Sequence, residues 1–375
     1  MSRVALVGPV PPWRSGIADQ DIRLLRALRK LGIDPFVVTF SRMYPPVLYP
    51  GRADRDGGEF PADAGEIHPL LDGWNPLSFD AAARRLASHA PDLVLVPWWT
   101  AFFAPHTLLL LSTLERESPG TVKLVLGHNV QDHEAGPFRS ALSRAVVRRA
   151  DRVAVQNRRA AAELSAELPG TPVAVVLHPV EPREILPERD VARARLGIPA
   201  DVPLFLFGGI LRPYKGWDVL LAAFRRLRRD IPSAHLVFAG EPWGDAGRLR
   251  EEENVRLRLE YLPERERALW FAASDAIVCP YRHATGSGIA ADALAHGRPV
   301  IGTRVDGLAE VVEDGVSGLL VPPGDEAALS SAMCRFVAER MGPRLSAGAA
   351  RRASALGPET HARQLLALGG VAVSS

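Results

Sequence analysis

From Cys279 to Val312 the chain reads CPYRHATGSGIAADALAHGRPVIGTRVDGLAEVV, and this stretch narrows the possible folds more than any other. Ala276 to Cys279 predicts a strand end, Thr285-Gly286-Ser287-Gly288 a turn of small residues, the segment up to Gly297 a helix, and Pro299 to Thr303 a second strand. Connections this short require parallel strands joined by a right-handed crossover. Glycines in the turn permit close backbone approach, and the helix after it offers unpaired N–H groups at the positive end of its dipole. Such a terminus is an anion site. Asp292 follows about one turn into the helix, within reach of the hydroxyls of a molecule whose phosphate rests on the turn. The combination points to a nucleoside diphosphate carrying a sugar, although an ordinary strand, glycine corner and helix would read alike.

The same grammar opens the chain. Arg3 to Val7 is a short apolar strand, Gly8 to Gly16 a loop, Ile17 to Leu31 a helix with Ile22, Leu25, Leu28 and Leu31 at helical spacing, and Pro35 to Phe40 the next strand. This is how a doubly wound nucleotide-type domain begins. The loop is rich in proline and lacks G-x-G-x-x-G, which weighs against a nicotinamide-dependent oxidoreductase. Ser41 to Leu77 reads as a long irregular connection, the kind that carries substrate contacts. A helix is expected over Asp80 to His89 and a buried strand over Asp92 to Pro97. That strand ends in Trp98-Trp99-Thr100-Ala101-Phe102-Phe103, whose rings suit either stacking on a sugar or core packing. Thr121 to Leu126 delivers Gly127-His128-Asn129 to the carboxyl edge, where open parallel sheets bind ligands. Taken alone, His128 fits a structural role as well as a functional one. Arg144, Arg148, Arg149, Arg152, Arg158 and Arg159 form a basic strip that suits an anionic membrane face, a phosphorylated acceptor or simply solvent.

After the break at His178-Pro179-Val180-Glu181-Pro182, strand Val202 to Phe207, loop Gly208 to Gly216 and helix Trp217 to Arg228 repeat the pattern. Arg212 and Lys215 at that strand-to-helix junction are placed to clamp a diphosphate. The chain has only three lysines among its 45 basic residues, so the one in this loop stands out. Tyr261-Leu262-Pro263 precedes a helix over Glu264 to Ala273. Helices are expected over Ala327 to Arg340 and Arg344 to Leu366, with Gly369 to Ser375 fraying.

A chain of 375 residues has room for two such domains. A formal charge of +2 excludes a polyelectrolyte binder, so nucleic acid is not expected as a partner. Two cysteines exclude a disulfide framework or structural zinc site, and His133-Glu134 lacks the second histidine of an H-E-x-x-H motif. Neither a signal peptide nor a membrane span is legible, so the expected location is cytoplasmic, with peripheral contact to an anionic membrane left open.

Together these pieces resemble the retaining glycosyltransferases of family four, which have the GT-B fold. The resemblance covers nearly the whole chain and is most specific in PYRHATGSGIAADALAHGRPVIGT and DGLAEVVEDGVSGLLVPPGD. The runs VPWWTAFFAP and GHNVQDHE look like a bacterial branch whose turn is A-T-x-S-G. The fold it implies is α/β, two Rossmann-like doubly wound domains facing each other across a cleft. Residues 1–179 would bind the acceptor, with a C-terminal helix at about 355–375 packing back on them, and residues 180–354 the donor. The implied reaction moves a hexose-type sugar from a nucleoside diphosphate to a hydroxyl of a glycan, a lipid-linked saccharide or a small metabolite, without a cofactor or metal.

By the same resemblance His128, Arg212 and Lys215 would be catalytic. Donor contacts fall on Gly16, Gly209, Arg212, Lys215, Tyr261, Leu262, Gly286, Ser287, Gly288 and Asp292, and acceptor contacts on Trp98, Trp99 and Asn129. Two positions depart from the family pattern. Where an arginine commonly precedes the lysine by five residues the chain has Ile210, so Arg212 is the candidate replacement. Of the paired acids E-x7-E only the second is present, as Asp292; the first falls on Ala284. That loss leaves the donor sugar open and keeps a non-catalytic nucleotide-sugar-binding module as the competing reading.

Overall fold

The computed structural model describes residues 2–45, 54–128, 137–181, 187–284 and 286–372. Strands and helices alternate along nearly the whole chain. The first part carries β1 (Val4–Val7), α1 (Gly16–Lys30), β2 (Phe36–Arg42), β3 (Ile67–Asp72), α2 (Leu77–Ser88), β4 (Leu93–Trp98), α3 (Ala104–Glu117), β5 (Val122–Gly127), α4 (Pro137–Val147), β6 (Arg152–Val155), α5 (Arg158–Glu167) and β7 (Val173–Val175). The second carries α6 (Arg189–Leu196), β8 (Leu204–Gly208), α7 (Trp217–Asp230), β9 (His235–Ala239), β10 (Val255–Arg258), α8 (Glu264–Ala273), β11 (Ala276–Cys279), α9 (Gly288–Ala295), β12 (Val300–Thr303), α10 (Asp306–Ala309), β13 (Gly318–Val321), α11 (Glu326–Ala338) and α12 (Gly342–Ala355). A last helix, α13 (Pro358–Leu368), closes the chain.

Two compact units result: Met1–Pro179 with Pro358–Ser375, and Val180–Gly357. The N-terminal unit holds a seven-stranded sheet in the order β3-β2-β1-β4-β5-β6-β7, the C-terminal unit a six-stranded sheet in the order β10-β9-β8-β11-β12-β13. Every pairing is parallel. Both sheets are thus doubly wound, with the strand order reversing between β1 and β4 and between β8 and β11. β1, β4, β8 and β11 are buried along their whole length, as strands covered on both faces must be. Alternation sends neighbouring side chains to opposite cores. Ala5 and Val7 join one cluster while Val4 and Leu6 join another, and Leu204 and Leu206 part from Phe205 and Phe207 in the same way.

Local signals explain the helices. Ser15 caps α1 by accepting a hydrogen bond from the Ala18 amide at 3.0 Å, and Asp325 caps α11 through the Ala328 amide at 2.8 Å. The sequence predicts a single helix from Arg344 to Leu366, whereas two are found. Gly357-Pro358 divides them, because proline is well placed to begin a helix and cannot continue one. α13 packs on α1: Ala362, Leu365 and Leu366 share a core with Leu24, Leu25 and Leu28, and Lys30 Nζ lies 2.9 Å from Glu359. Burying Leu365 and Leu366 is worth about 2 kcal/mol each. The expected fraying does not reach Val371, which is buried and donates to the Leu366 carbonyl at 2.8 Å. β3 is a second departure, a strand within the expected irregular segment. It is a half-exposed edge strand containing Pro69, a composition that hides its pattern.

Candidate functional site

Ligands bind open parallel sheets outside the carboxyl ends of the strands where the order reverses. In the C-terminal unit that point lies between β8 and β11, and the loops leaving them are Gly209 to Gly216 and Pro280 to Ser287. The two loops are locked together. Gly216 has φ +68°, and a Cβ there would stand 2.1 Å from the Pro280 carbonyl oxygen. Arg282 holds the other side: its amide donates to the Tyr214 carbonyl at 2.7 Å, and its guanidinium grips both Asp218 oxygens at 2.9 and 2.6 Å.

Within this frame Lys215 is turned back over Gly209, where a Cβ would lie 3.5 Å from Nζ. Gly209 itself has φ +83°, a conformation that favours glycine. The ammonium sits 5.8 Å from the Tyr281 ring centroid, and Tyr281 Oη is 3.3 Å from Ser287 Oγ. Ser287 caps α9, accepting from the Ala290 amide at 3.1 Å. Thr285 lies outside the described residues, while Gly286, Ser287 and Gly288 lead directly into the first turn of α9. A Cβ on Gly288 would meet nothing within 4 Å, so the helix end has open space in front of it. Arg212 stacks 4.4 Å over Trp243. Among the described residues neither Arg212 nor Lys215 has a carboxylate within ion-pair distance.

Burial, aided by repulsion from Arg212, lowers the Lys215 pKa to about 8. Burial pushes the neighbouring Cys279 thiol up to about 12 and the Tyr281 phenol well above its usual value. Both therefore stay neutral, and the loop pair is cationic with no anion of its own.

Beside Gly209 opens a cavity of about 60 Å³, lined by Ile210, Tyr261, Leu262, Arg267, Trp270 and Ile289 among others. Arg267 Nε stands 3.8 Å from Asp292 Oδ2, and Asp292 is 7% exposed. The sequence reading placed Gly209, Tyr261 and Leu262 with the donor, and they meet here. It did not single out Arg267 or Trp270. Their spacing of three on α8 puts them on one helix face, which is the signal that was available. Ala284 packs against the apolar core, and its carbonyl accepts from the Gly307 amide at 2.9 Å.

The N-terminal unit places His128 at the carboxyl end of β5, its amide donating to the Trp98 carbonyl at 2.8 Å. Its Nδ1 lies 2.7 Å from Gln156 Nε2, and its ring centroid 6.1 Å from that of His178. His361, on α13, donates from Nδ1 to the Leu177 carbonyl at 2.9 Å. Burial, then the charge of His361, brings the His128 pKa to about 3; burial, opposed by the Leu177 bond, brings that of His361 to about 4. His178 is likewise held well below its usual value, first by burial. Three neutral imidazoles thus cluster at the ligand edge of this sheet. Burial pushes the carboxyl of Asp21, 1% exposed on α1, well above the usual carboxylate range; no sequence signal marked it.

Other expectations shift. Trp98 is 1% exposed, so its ring belongs to the core and cannot stack on an acceptor. Trp99 is half-buried and donates from Nε1 to Tyr44 Oη at 2.9 Å, within a cluster that includes Phe40 and Phe103. A void of about 10 Å³ among these rings is far too small for a sugar. Asn129 and Gln131 to Glu134 lie outside the described residues. Gly16 opens α1 with nothing within 4 Å of an added Cβ. Three of the six arginines of the basic strip are matched by acids: Arg144 pairs with Glu167, Arg149 with Glu115 and Arg159 with Glu163. That pairing weakens the case for a membrane-facing patch. Among the described residues no three acidic, His or Cys side chains converge as metal ligands, and no helix is long and apolar enough to cross a membrane.

The chain resembles known proteins over both units. The family model described as Glycosyl transferase 4-like domain matches residues 15–181, and that described as Glycosyl transferases group 1 matches residues 202–339. The D-inositol 3-phosphate glycosyltransferase of Thermomonospora curvata is 37% identical over 193 residues, 47% of this chain and 44% of that protein. D-inositol 3-phosphate glycosyltransferase 1 of Catenulispora acidiphila is 32% identical over 258 residues, 64% of this chain and 61% of that one. The chain spans about half the length of the curated relatives it matches. In fold it is similar to sucrose-phosphate synthase from Thermosynechococcus elongatus, with TM-score 0.75 and 20% identity over 98% of each chain. It is also similar to Anabaena HepE in complex with UDP-glucose, with TM-score 0.73 and 14% identity over 97% of this chain and 98% of that one.

Proposed function

Because the chain belongs to the GT-B glycosyltransferases of family-four type, we propose that it moves a hexose-type sugar from a nucleoside diphosphate to an acceptor hydroxyl, with retention at the anomeric carbon and without a metal ion. The observation that carries this reading is the pair Arg212 and Lys215, two cations without an acidic partner among the described residues. Through Tyr281 they adjoin the N-terminus of α9. A diphosphate supplies the missing charge. The cavity beside Gly209 then takes the base against Tyr261 and Leu262, and Asp292 accepts from the ribose hydroxyls.

In the reaction, the bond between the anomeric carbon and the leaving phosphate oxygen breaks as the acceptor oxygen attacks from the same face. The acceptor proton passes to the leaving phosphate, whose charge is stabilised by Arg212, Lys215 and the amides of Gly286, Ser287 and Gly288. His128, with a pKa of about 3, is a poor proton acceptor. Its role here is to hold a hydroxyl of sugar or acceptor, which leaves the phosphate as the base. The relatives' name puts a phosphorylated cyclitol first among acceptors to try, ahead of glycans and lipid-linked saccharides, and both substrates are expected in the cytoplasm.

Mass-spectrometric screening of nucleotide sugars against such a panel tests the reading. Transfer should occur with the donor's anomeric configuration kept, and Lys215→Ala should lower turnover by a factor on the order of 10² with the fold intact. Near-normal turnover in the variant, or an inverted product, overturns the assignment. Donor binding without turnover across the panel would favour the non-catalytic module.

A further inference from the structure

We infer that the C-terminal unit carries a second binding groove, at the edge of its sheet opposite the donor loops, built for a small phosphate ester with an apolar body. Its place follows from chain direction. Pro203 leads into β8, Asp275 into β11 and Arg298 into β12, so the groove they line lies at the amino ends of the strands, across the sheet from Lys215. The groove has a volume of about 760 Å³.

Its charge is unbalanced. Asp275 is saturated: Oδ1 lies 3.1 Å from Arg189, and Oδ2 lies 2.9 Å from Arg193 and accepts from the Leu204 amide at 2.8 Å. Arg298 stands beside this group as a further guanidinium, half-buried, and its Nε is buried with no hydrogen-bond partner among the described residues. Arg340, exposed on the same groove, forms no ion pair among the described residues. Asp201 is the other carboxylate of the lining and does not offset both. The charge of Asp275 also reaches Arg298 but is shared with Arg189 and Arg193, and a partly desolvated cation so incompletely balanced is costly unless an anion joins it.

Two further features point the same way. Among the described residues Arg340 is one of three non-glycine residues with positive φ, at +49°, and it stands two residues before the start of α12. α12 begins without a side-chain cap and without an acid in its first turn, and Gly342 from that turn and Ser346 just after it line the groove. An uncapped helix end, two guanidiniums with no carboxylate within ion-pair distance among the described residues, and a cavity between them suit a phosphate. Phe336, Val337 and Pro343 supply an apolar wall for the rest of the molecule.

Phenyl phosphate is a suitable probe, titrated calorimetrically into the full chain, with inorganic phosphate as the comparison. Saturable binding is expected, tighter for phenyl phosphate than for phosphate. Arg340→Ala, a surface change that leaves the core intact, should weaken it about tenfold, and Arg298→Ala with Arg340→Ala should remove the groove's share altogether, leaving only binding at the donor loops. Lys215→Ala should keep the groove's binding unchanged, which separates this groove from the donor loops. Binding lost in Lys215→Ala and kept in Arg340→Ala would put the anion at the donor loops and overturn the inference. So would the absence of saturable binding at millimolar phenyl phosphate.

Discussion

Lys215 is held where burial makes its charge costly. With a pKa of about 8, it is mostly protonated at neutral pH and loses its proton over the next pH units. A bound diphosphate favours the charged form and raises that pKa. Donor affinity should therefore hold up to pH about 8 and fall by about tenfold for each further unit until the bound-state value is reached. Donor KM measured across this range checks it, and a profile flat past pH about 9 contradicts it. Stability moves the other way. The folded pKa is depressed below the unfolded value of about 10.4, so between the two the unfolded chain binds more protons and the fold gains stability as pH rises. A loss of affinity in this window is then not unfolding. Lys215 was legible as the one lysine of its half of the chain. Its neighbours Arg267 and Trp270 were not, because a helix face shows its purpose only when something packs or opens against it.

At the level of elements, the site is two loops that meet at a reversal of strand order. Gly216 is the joint: its φ is +68°, and a Cβ would meet the Pro280 carbonyl oxygen at 2.1 Å. Gly216→Ala should destabilise the C-terminal unit by about 1–3 kcal/mol and weaken donor binding by moving Lys215. Urea unfolding beside a donor titration measures both, and an unchanged midpoint with unchanged affinity contradicts the joint. The glycine-rich turn before α9 could be read from its residues, since small side chains before a helical run have few other uses. The clamp from Arg282 to Asp218 could not, because 64 residues separate its partners. β3 escaped for a related reason: half-exposed and interrupted by Pro69, it has no alternation to read.

For the whole molecule, the doubly wound grammar was legible twice, from apolar strands, glycine loops and helical spacing. Two parallel sheets answer it. What patterning could not supply is burial. Trp98 and Trp99 look alike as a pair after a strand, yet one is core and the other half-buried, because β4 sends successive side chains to different surroundings. The three neutral histidines come together only because α13 returns to pack on α1 and brings His361 with it.

All of this depends on the cationic loops and the α9 terminus holding a diphosphate, and a calorimetric titration of a nucleoside diphosphate tests that most directly. The unaltered chain should bind it saturably. Lys215→Ala should bind it at least about tenfold more weakly with a melting temperature no lower than that of the unaltered chain. Equal affinity in the two proteins would contradict the account.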